Sequence, residues 1–287
     1  MGQAKQTFER RQLGMALRRL RDEAGRTQQE AADALGKVRS RVVALEDGTA
    51  TATPDDLTAL LDCYQVDDDE RDTLLALAAQ ARKRTKRRTH VDVLPDAYRR
   101  FADLESSATE INCYESGLVP GLLQSPAYMR AVLAECEGIW WRKRDVEGAD
   151  RLAFREERQA RAFEAEQRTL RFVITEDALR ANMGSPDVMR EQLAHLLTLS
   201  RANRDLTVRV LDNDSFGNPV RGRSLLVFGF GERGTPIGYS ETVLGPSTYY
   251  DDEKDTTAML RAFHRVWELA LSRVNSRRLI ERILEAT

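Results

Sequence analysis

Lys37, Arg39, Ser40 and Arg41 fall within five consecutive positions of a 287-residue chain. These residue types suit the reading of a DNA groove. An arginine fork matches the O6/N7 edge of guanine, whereas lysine and serine contact either a base or a phosphate. A second cluster, Arg82-Lys83-Arg84-Thr85-Lys86-Arg87-Arg88, adds +6 within seven residues. Its Arg84, Lys86 and Arg87 are candidates for phosphate contact, although a run of this kind, taken alone, also reads as a solvated linker.

Other chemistry is sparse. Glu115, Glu176 and Glu241 each fall at or near the end of a strand-like segment. They would serve acid–base work if they converged, or else they cap helices and pair with the Arg151–Arg161 row. Cys113 and His195 would form a nucleophile pair only if the fold brought them together; the alternative is two buried structural residues. The three cysteines and three histidines are scattered, with no C-x-x-C, H-x-x-x-H or H-E-x-x-H spacing. A disulfide framework and a metal site therefore lack support, and a reducing cytosol fits best. Neither a Gly-rich phosphate loop after a strand nor a G-x-S-x-G elbow is present. The expectation is a protein that is not an enzyme and needs no cofactor. Two features suggest a binding surface instead. Adjacent Trp140 and Trp141 cannot both point inward from a regular helix, so one of them lines a pocket or contact surface unless both find core packing. The irregular, apolar stretch 118–124, with Leu122 and Leu123, either walls a pocket, docks a partner or is a buried loop.

Composition is that of a globular chain, 41% apolar and 31% charged, and its length suits about two domains. No run approaches 18 apolar residues, and no charged-then-apolar signal segment opens the sequence, so neither a membrane span nor export by that route is expected. The net charge of −2 conceals an asymmetry. Residues 1–45 sum to +5, residues 46–81 to −9, the basic run to +6, and the remainder to −4. A basic N-terminal face followed by a basic run is the electrostatic footprint of a nucleic-acid binder.

The elements that must position these residues are short helices. Leu13, Ala16, Leu17 and Leu20 recur at helical spacing from Arg10 to Glu23, and Ala24-Gly25 stops them. Thr27 with Glu30 makes a capping box for a second helix whose inner face is Ala31, Ala32 and Leu35, ended by Gly36. A third helix runs from about Val38 to Glu46. A fourth opens at Thr53-Pro54 with Leu57, Leu60, Leu61 and Tyr64 inward, and a fifth carries Leu74, Leu75, Leu77 and Ala78. Two short helices around a glycine turn, the second presenting Lys, Arg and Ser at its start, form a helix-turn-helix.

T-Q-Q-E-A-A-D-A-L-G, then R-S-R-V-V-A-L-E-D-G, then T-P-D-D-L-T-A-L-L resembles the Xre/Cro-type helix-turn-helix domain over roughly residues 10–66. The resemblance implies that Gln28 touches the DNA backbone and that Lys37, Arg39, Ser40 and Arg41 enter the major groove. It also implies that Glu46 pairs with Arg18 or Arg21. This chain departs from the family at Lys37 and Val38, where an apolar and a small polar residue are usual, which leaves the start of the third helix open by one residue.

Beyond the basic run, helices are expected at 95–110, from Pro126, at 149–168, 186–200, 255–271 and 276–285. Strands are expected at 111–115, 170–175, 206–211, 224–230 and 237–242. Glycine and proline between 215 and 236 suggest hairpins, so the reading is an α+β domain with one antiparallel sheet and flanking helices. Y-E-S-G-L-V-P-G-L-L-Q-S-P-A-Y-M-R-A-V-L, F-V-I-T-E-D-A-L-R, V-M-R-E-Q-L-A-H-L-L and L-T-V-R-V-L are similar to the C-terminal domain of actinobacterial WhiJ-like, antitoxin-like regulators. A more distant likeness, to MmyB-type regulators, implies a PAS-like domain with an apolar small-molecule ligand.

The organisation expected is a five-helix DNA-binding domain at 1–81, a basic linker at 82–94 and an α+β regulatory domain at 95–287. The resemblance implies a cytoplasmic, nucleoid-associated transcriptional regulator of development or secondary metabolism. A homodimer on a double-stranded operator is expected, since one recognition helix reads only a few base pairs. The resemblance also implies a small acidic BldB-type partner protein. Tyr114, Glu115, Leu122, Leu123, Trp140, Trp141, Tyr239 and Glu241 are the candidates for binding a ligand or that partner. The alternative function is an antitoxin-like scaffold that mainly sequesters the acidic partner.

Overall fold

Thr7, Thr27 and Thr53 each precede a helix, and each hydroxyl accepts a hydrogen bond from a backbone N–H of the first turn. Such caps satisfy donors that a helix start leaves orphaned. In chain order the elements of the computed structural model are α1 (Phe8–Glu23), α2 (Gln28–Ala34), α3 (Arg39–Glu46), α4 (Pro54–Cys63), α5 (Asp68–Arg82), β1 (Thr89–Val91) and α6 (Ala97–Ser107). There follow β2 (Glu110–Glu115), α7 (Pro126–Cys136), α8 (Glu147–Glu164), β3 (Thr169–Thr175), α9 (Glu176–Arg180) and α10 (Pro186–Ala202). The last third holds β4 (Leu206–Leu211), β5 (Leu225–Gly229), β6 (Ile237–Ser240), β7 (Thr248–Tyr250), α11 (Glu253–Leu269) and α12 (Arg273–Ala286). The structure describes residues 6–82, 89–92, 94, 96–137, 139, 147–164, 168–242 and 246–287.

These elements form two compact units. The first comprises Met1–Ser107, Phe230–Thr235 and Glu241–Asp252, and the second Ala108–Gly229, Pro236–Ser240 and Glu253–Thr287. The first unit thus takes in β1, which the sequence assigns to a linker, and α6 and two later segments, which it assigns to the regulatory domain.

In the first unit, α1 packs on α3, α5 and α6. Leu13, Ala16, Leu17 and Leu20 meet Ala31, Ala32, Val42, Leu45, Leu57, Leu60, Leu61 and Leu77 in one core. Each buried leucine contributes about 1.5–3 kcal/mol. Small residues set the spacing. A Cβ on Gly14 would lie 2.4 Å from the carbonyl oxygen of Glu46 and 2.6 Å from that of Leu45, so the α1 backbone rests directly on the end of α3.

The opposite side of α1 is held by residues distant in sequence. Phe8 is buried between the rings of His90 and Tyr249, at centroid distances of 4.8 and 4.7 Å. His90 and Tyr249 face each other in the antiparallel β1–β7 ribbon. The imidazole bridges two carboxylates, with Nδ1 2.8 Å from Glu9 Oε1 and Nε2 3.0 Å from Asp251 Oδ1. Arg11 lies 4.0 Å over the ring of Phe230 and donates to the Thr235 carbonyl at 2.8 Å. On α6, Tyr98 is 63% exposed. Buried charges hold this helix instead. Arg100 Nε donates to Asp92 at 2.9 Å, and Asp103 pairs with Arg19 of α1 at 2.9 Å.

The second unit corrects the expected sheet. Its strand order is β6-β5-β2-β3-β4. β2 pairs parallel with β3, and β3 with β4, while β2–β5 and β5–β6 are antiparallel. The sheet is therefore mixed, not antiparallel. The physical reason lies in the connections: α7 and α8 separate β2 from β3, and α9 and α10 separate β3 from β4, long enough for crossovers between parallel strands. The glycine- and proline-bearing segment 212–224 returns the chain from β4 to β5 on the far side of β2 and β3, so among these strands β5–β6 is the one consecutive pair that runs antiparallel. α11 covers the face bearing Tyr114, Val173, Leu225 and Val227. The alternate residues Ile111, Phe172, Ile174, Val208, Val210 and Phe228 are buried as well, which explains the nearly continuous apolar runs in these strands.

Of the three readings of the stretch 118–124, the structure shows a largely buried loop. Val119, Leu122 and Leu123 are at most 2% exposed. Its backbone is satisfied by three glutamines. Gln124 donates to the Val119 carbonyl, Gln159 to those of Gly121 and Gln124, and Gln192 to that of Leu123, all at 2.8 Å. Gln192 also accepts from Ser125 N at 2.7 Å. Irregular backbone can be buried only when its polar groups find such partners.

Two outcomes follow for the first unit. Gly14→Ala should destabilise it by about 1–3 kcal/mol, because the core must open for one methyl; loss of amide-exchange protection in α1 and α3 reports this, and unchanged protection would show that the helices are not in close approach. Burial alone would push His90 down, but its hydrogen bonds to Asp251 and Glu9 outweigh that, and its pKa is pushed up to about 9. The folded state then holds a proton that the unfolded chain releases near 6.5. The stabilisation, on the order of 3 kcal/mol, is whole below pH 6.5 and gone once pH has risen through 9. Denaturant titrations across that window should show the fall, and His90→Gln should abolish it.

Candidate nucleic-acid interface

The capping box at Thr27 starts α2: Thr27 Oγ1 accepts from Glu30 N, and Glu30 Oε2 accepts from Thr27 N at 2.8 Å. Gly36, at φ +62°, then supplies the left-handed residue that turns the chain toward α3. Val38 is the residue before the first turn of α3, so the helix starts at Arg39.

The geometry around α3 is set by Glu46 at its C-terminal end. Its side chain is 1% exposed and accepts from Arg21 Nε at 2.5 Å, Arg21 Nη2 at 3.2 Å, Arg18 Nε at 3.4 Å and Gln28 Nε2 at 2.9 Å. Both candidate arginines of α1 therefore engage it. Burial pushes this carboxyl up, but the Arg21 and Gln28 hydrogen bonds and the two cations outweigh burial and hold it below its ordinary value. Gln28 passes the network on: its Oε1 accepts from Arg39 Nε at 3.1 Å and Nη2 at 3.0 Å. Arg21, Thr27, Gln28, Gln29 and Arg39 line an open cleft of about 520 Å³ at the start of α2.

The other two cations are tied elsewhere. Lys37 Nζ lies 2.5 Å from Asp56 Oδ1, and Arg41 Nη2 lies 2.7 Å from the Thr51 carbonyl and 3.4 Å from Asp56 Oδ2. Asp56, in the first turn of α4, is 6% exposed. Burial raises its pKa, but the Lys37 ammonium and the Arg41 guanidinium prevail and keep it below its ordinary value. Ser40 and Val38 stay exposed. The structure thus brings Gln28 to Arg39 and brings Lys37 to Arg41 through one carboxylate. Sequence reasoning missed Asp56, which lies nineteen residues from Lys37 with no periodicity to link them.

The described members of the second set of candidates differ in exposure. Tyr114 is buried in β2, its hydroxyl accepting from Asn218 Nδ2 at 2.8 Å. Neighbouring Glu115 is half-buried and accepts from the Ser224 hydroxyl. Leu122 and Leu123 lie in the buried loop. Tyr239 is half-buried in β6, and Glu241 is exposed and belongs to the first unit. Glu176 pairs with Arg180 at 2.8 Å one turn along α9. Cys113 is buried in β2 and His195 is half-buried on α10. Arg84, Lys86, Arg87, Trp140 and Trp141 lie outside the described residues. Among the described residues, no cluster of three or more His, Cys, Asp or Glu could hold a metal ion, and no helix is long and apolar enough to cross a membrane.

Asp56→Asn should release Lys37 and Arg41 toward phosphate. Each added phosphate contact steepens the salt dependence of DNA affinity by about 0.9 in the log–log slope, so a steepening of roughly 1–2 is expected, with weaker discrimination among sequences. An unchanged slope in fluorescence-anisotropy titrations would show that Asp56 holds no cation back from DNA.

A family model described as a helix-turn-helix domain matches residues 12–74. A second, described as a domain of unknown function (DUF5753), matches residues 98–282. The comparison with curated proteins finds no match. Among solved structures the chain is similar to TrmBL2, an archaeal chromatin protein whose structure is described as showing a novel mode of DNA binding. That similarity is 13% identity at a TM-score of 0.35, covering 83% of this chain and 84% of that one, too slight to bear on fold or function. The second model spans more than half of the sequence, and with the helix-turn-helix domain ahead of it the chain belongs to the DUF5753 family.

Proposed function

We propose that this protein is a sequence-specific DNA-binding transcriptional regulator. The observation that carries the reading is the α3 N-terminus of a helix-turn-helix domain, which leaves Val38, Arg39 and Ser40 outward while Glu46 and Gln28 fix the helix behind them. Arg39 would read a base edge, and the basic run with Arg84, Lys86 and Arg87 would add phosphate affinity. The operator would be a two-fold repeat bound by a homodimer, with half-sites about 34 Å apart. The reading further takes the domain as Xre/Cro-type and the regulator as WhiJ-like, actinobacterial and nucleoid-associated in the cytoplasm, acting by binding rather than catalysis. Its α+β region would sense a ligand, an apolar small molecule, or a small acidic BldB-type protein. Either would alter DNA affinity only through differential affinity for two states of the chain.

A second reading, the antitoxin-like scaffold that sequesters an acidic partner, draws support from the pairing of Lys37, Arg39 and Arg41 within the domain itself. It requires little DNA affinity and partner binding that survives changes in α3.

Selection of bound fragments from genomic DNA at physiological salt separates the two. The regulator yields a short inverted repeat recovered by wild type and lost by the Arg39→Ala/Arg41→Ala double variant. A base-reading arginine costs about 1–3 kcal/mol when removed. Recovery of no sequence by the wild-type chain would overturn the regulator in favour of the scaffold.

A further inference from the structure

The residue that caps α3 breaks two local rules at once. Helices α1, α2 and α4 begin with a threonine whose hydroxyl accepts a first-turn hydrogen bond. Val38 caps α3 and makes no such bond. Val38 is also 70% exposed, the one large apolar side chain left exposed among the described residues of 6–82. A hydroxyl or carboxamide there would satisfy a donor and suit water better, which is why Ser, Thr, Asp and Asn dominate the position. Positions where local propensity and burial both fail are where function is expected to override stability.

The neighbours give this valine its setting. Lys37 before it and Arg41 after it are drawn onto Asp56, and Arg39 is held by Gln28. The outward edge of the recognition helix is therefore an apolar branch beside one arginine and one hydroxyl. In the major groove the apolar group on a base edge is the thymine C5-methyl. We propose that Val38 is a specificity-determining residue that reads a thymine in each half-site through that methyl, next to the base or phosphate met by Arg39. This inference rests on the DNA-binding reading above.

The test begins with duplexes selected from a random library by the full-length chain. Each thymine of the recovered half-site is then replaced singly by deoxyuridine, which keeps the pairing and removes only the methyl. One position per half-site should cost the wild type about fourfold in affinity, the value of one buried methyl-sized group. Val38→Ala and Val38→Ser should show no further loss at that position. A 5-methylcytosine·guanine pair there should retain affinity for the wild type that plain cytosine·guanine loses. Val38 is exposed, so both variants should unfold at the wild-type denaturant concentration, with Val38→Ser no lower because it gains a cap. Indifference of the wild type to every uridine replacement, or an equal loss in Val38→Ser, overturns the thymine contact and leaves DNA binding standing. Recovery of no duplex overturns the DNA-binding reading and the contact with it.

Discussion

The arrangement of the recognition helix depends on one buried carboxylate. Glu46 sits at the C-terminal end of α3, where the helix dipole disfavours a negative charge, and its side chain is 1% exposed. An ion taken out of water costs several kcal/mol unless it is paired and fully hydrogen-bonded. Arg21 and Arg18 of α1 and Gln28 of α2 supply those partners, so three helices must converge on one point for any of them to be stable there. Gln28 then holds Arg39, which links the buried charge to an exposed side chain at the start of α3. Gly14 makes the convergence possible, because only a residue without a side chain lets the α1 backbone lie on the α3 carbonyls.

The same economy of charge runs through the first unit. A chain with 31% charged residues suggests much solvated helix surface. Several of its arginines are instead buried or half-buried. Arg11 lies on Phe230, Arg19 meets Glu70 and Asp103, and Arg100 meets Asp92. α1 is consequently a helix with two interiors, an aliphatic one toward α3 and α5 and one of aromatic and ionic contacts toward Phe8, His90, Tyr249 and α6. The second interior draws on Phe230–Thr235 and Asp251, far along the chain from α1. The helix that orders the helix-turn-helix core is therefore also the one that later segments of the chain hold.

The local parts of this protein were legible without coordinates. Thr27 and Glu30 announce the capping box, Gly36 the turn, and Leu13, Ala16, Leu17 and Leu20 the inner face of α1, because hydrogen bonds and side-chain contacts within a turn or two depend only on neighbours. The strands at 170–175 and 206–211 were equally plain as β-branched and apolar runs. Their parallel pairing was not. It depends on which edges meet after α9 and α10 have crossed the sheet, and alternation within a strand carries no information about its partner. The apolar loop at 118–124 was ambiguous for the same reason. Whether it is a pocket wall or a buried loop turns on Gln159 and Gln192, which reach its carbonyls from α8 and α10.

The sequence by itself determined where the capped helices α1, α2 and α4 begin, which of their faces are apolar, and that a basic helix follows a glycine turn. Tertiary structure alone decided what those basic residues touch. Lys37 and Arg41 are held by Asp56 of α4, Arg39 by Gln28 of α2, and Val38 is left facing outward. The division has a physical cause. A cap or a periodic face is fixed by dihedral geometry within a few residues, whereas the partner of a long charged side chain is whichever opposite charge the packed helices bring within reach.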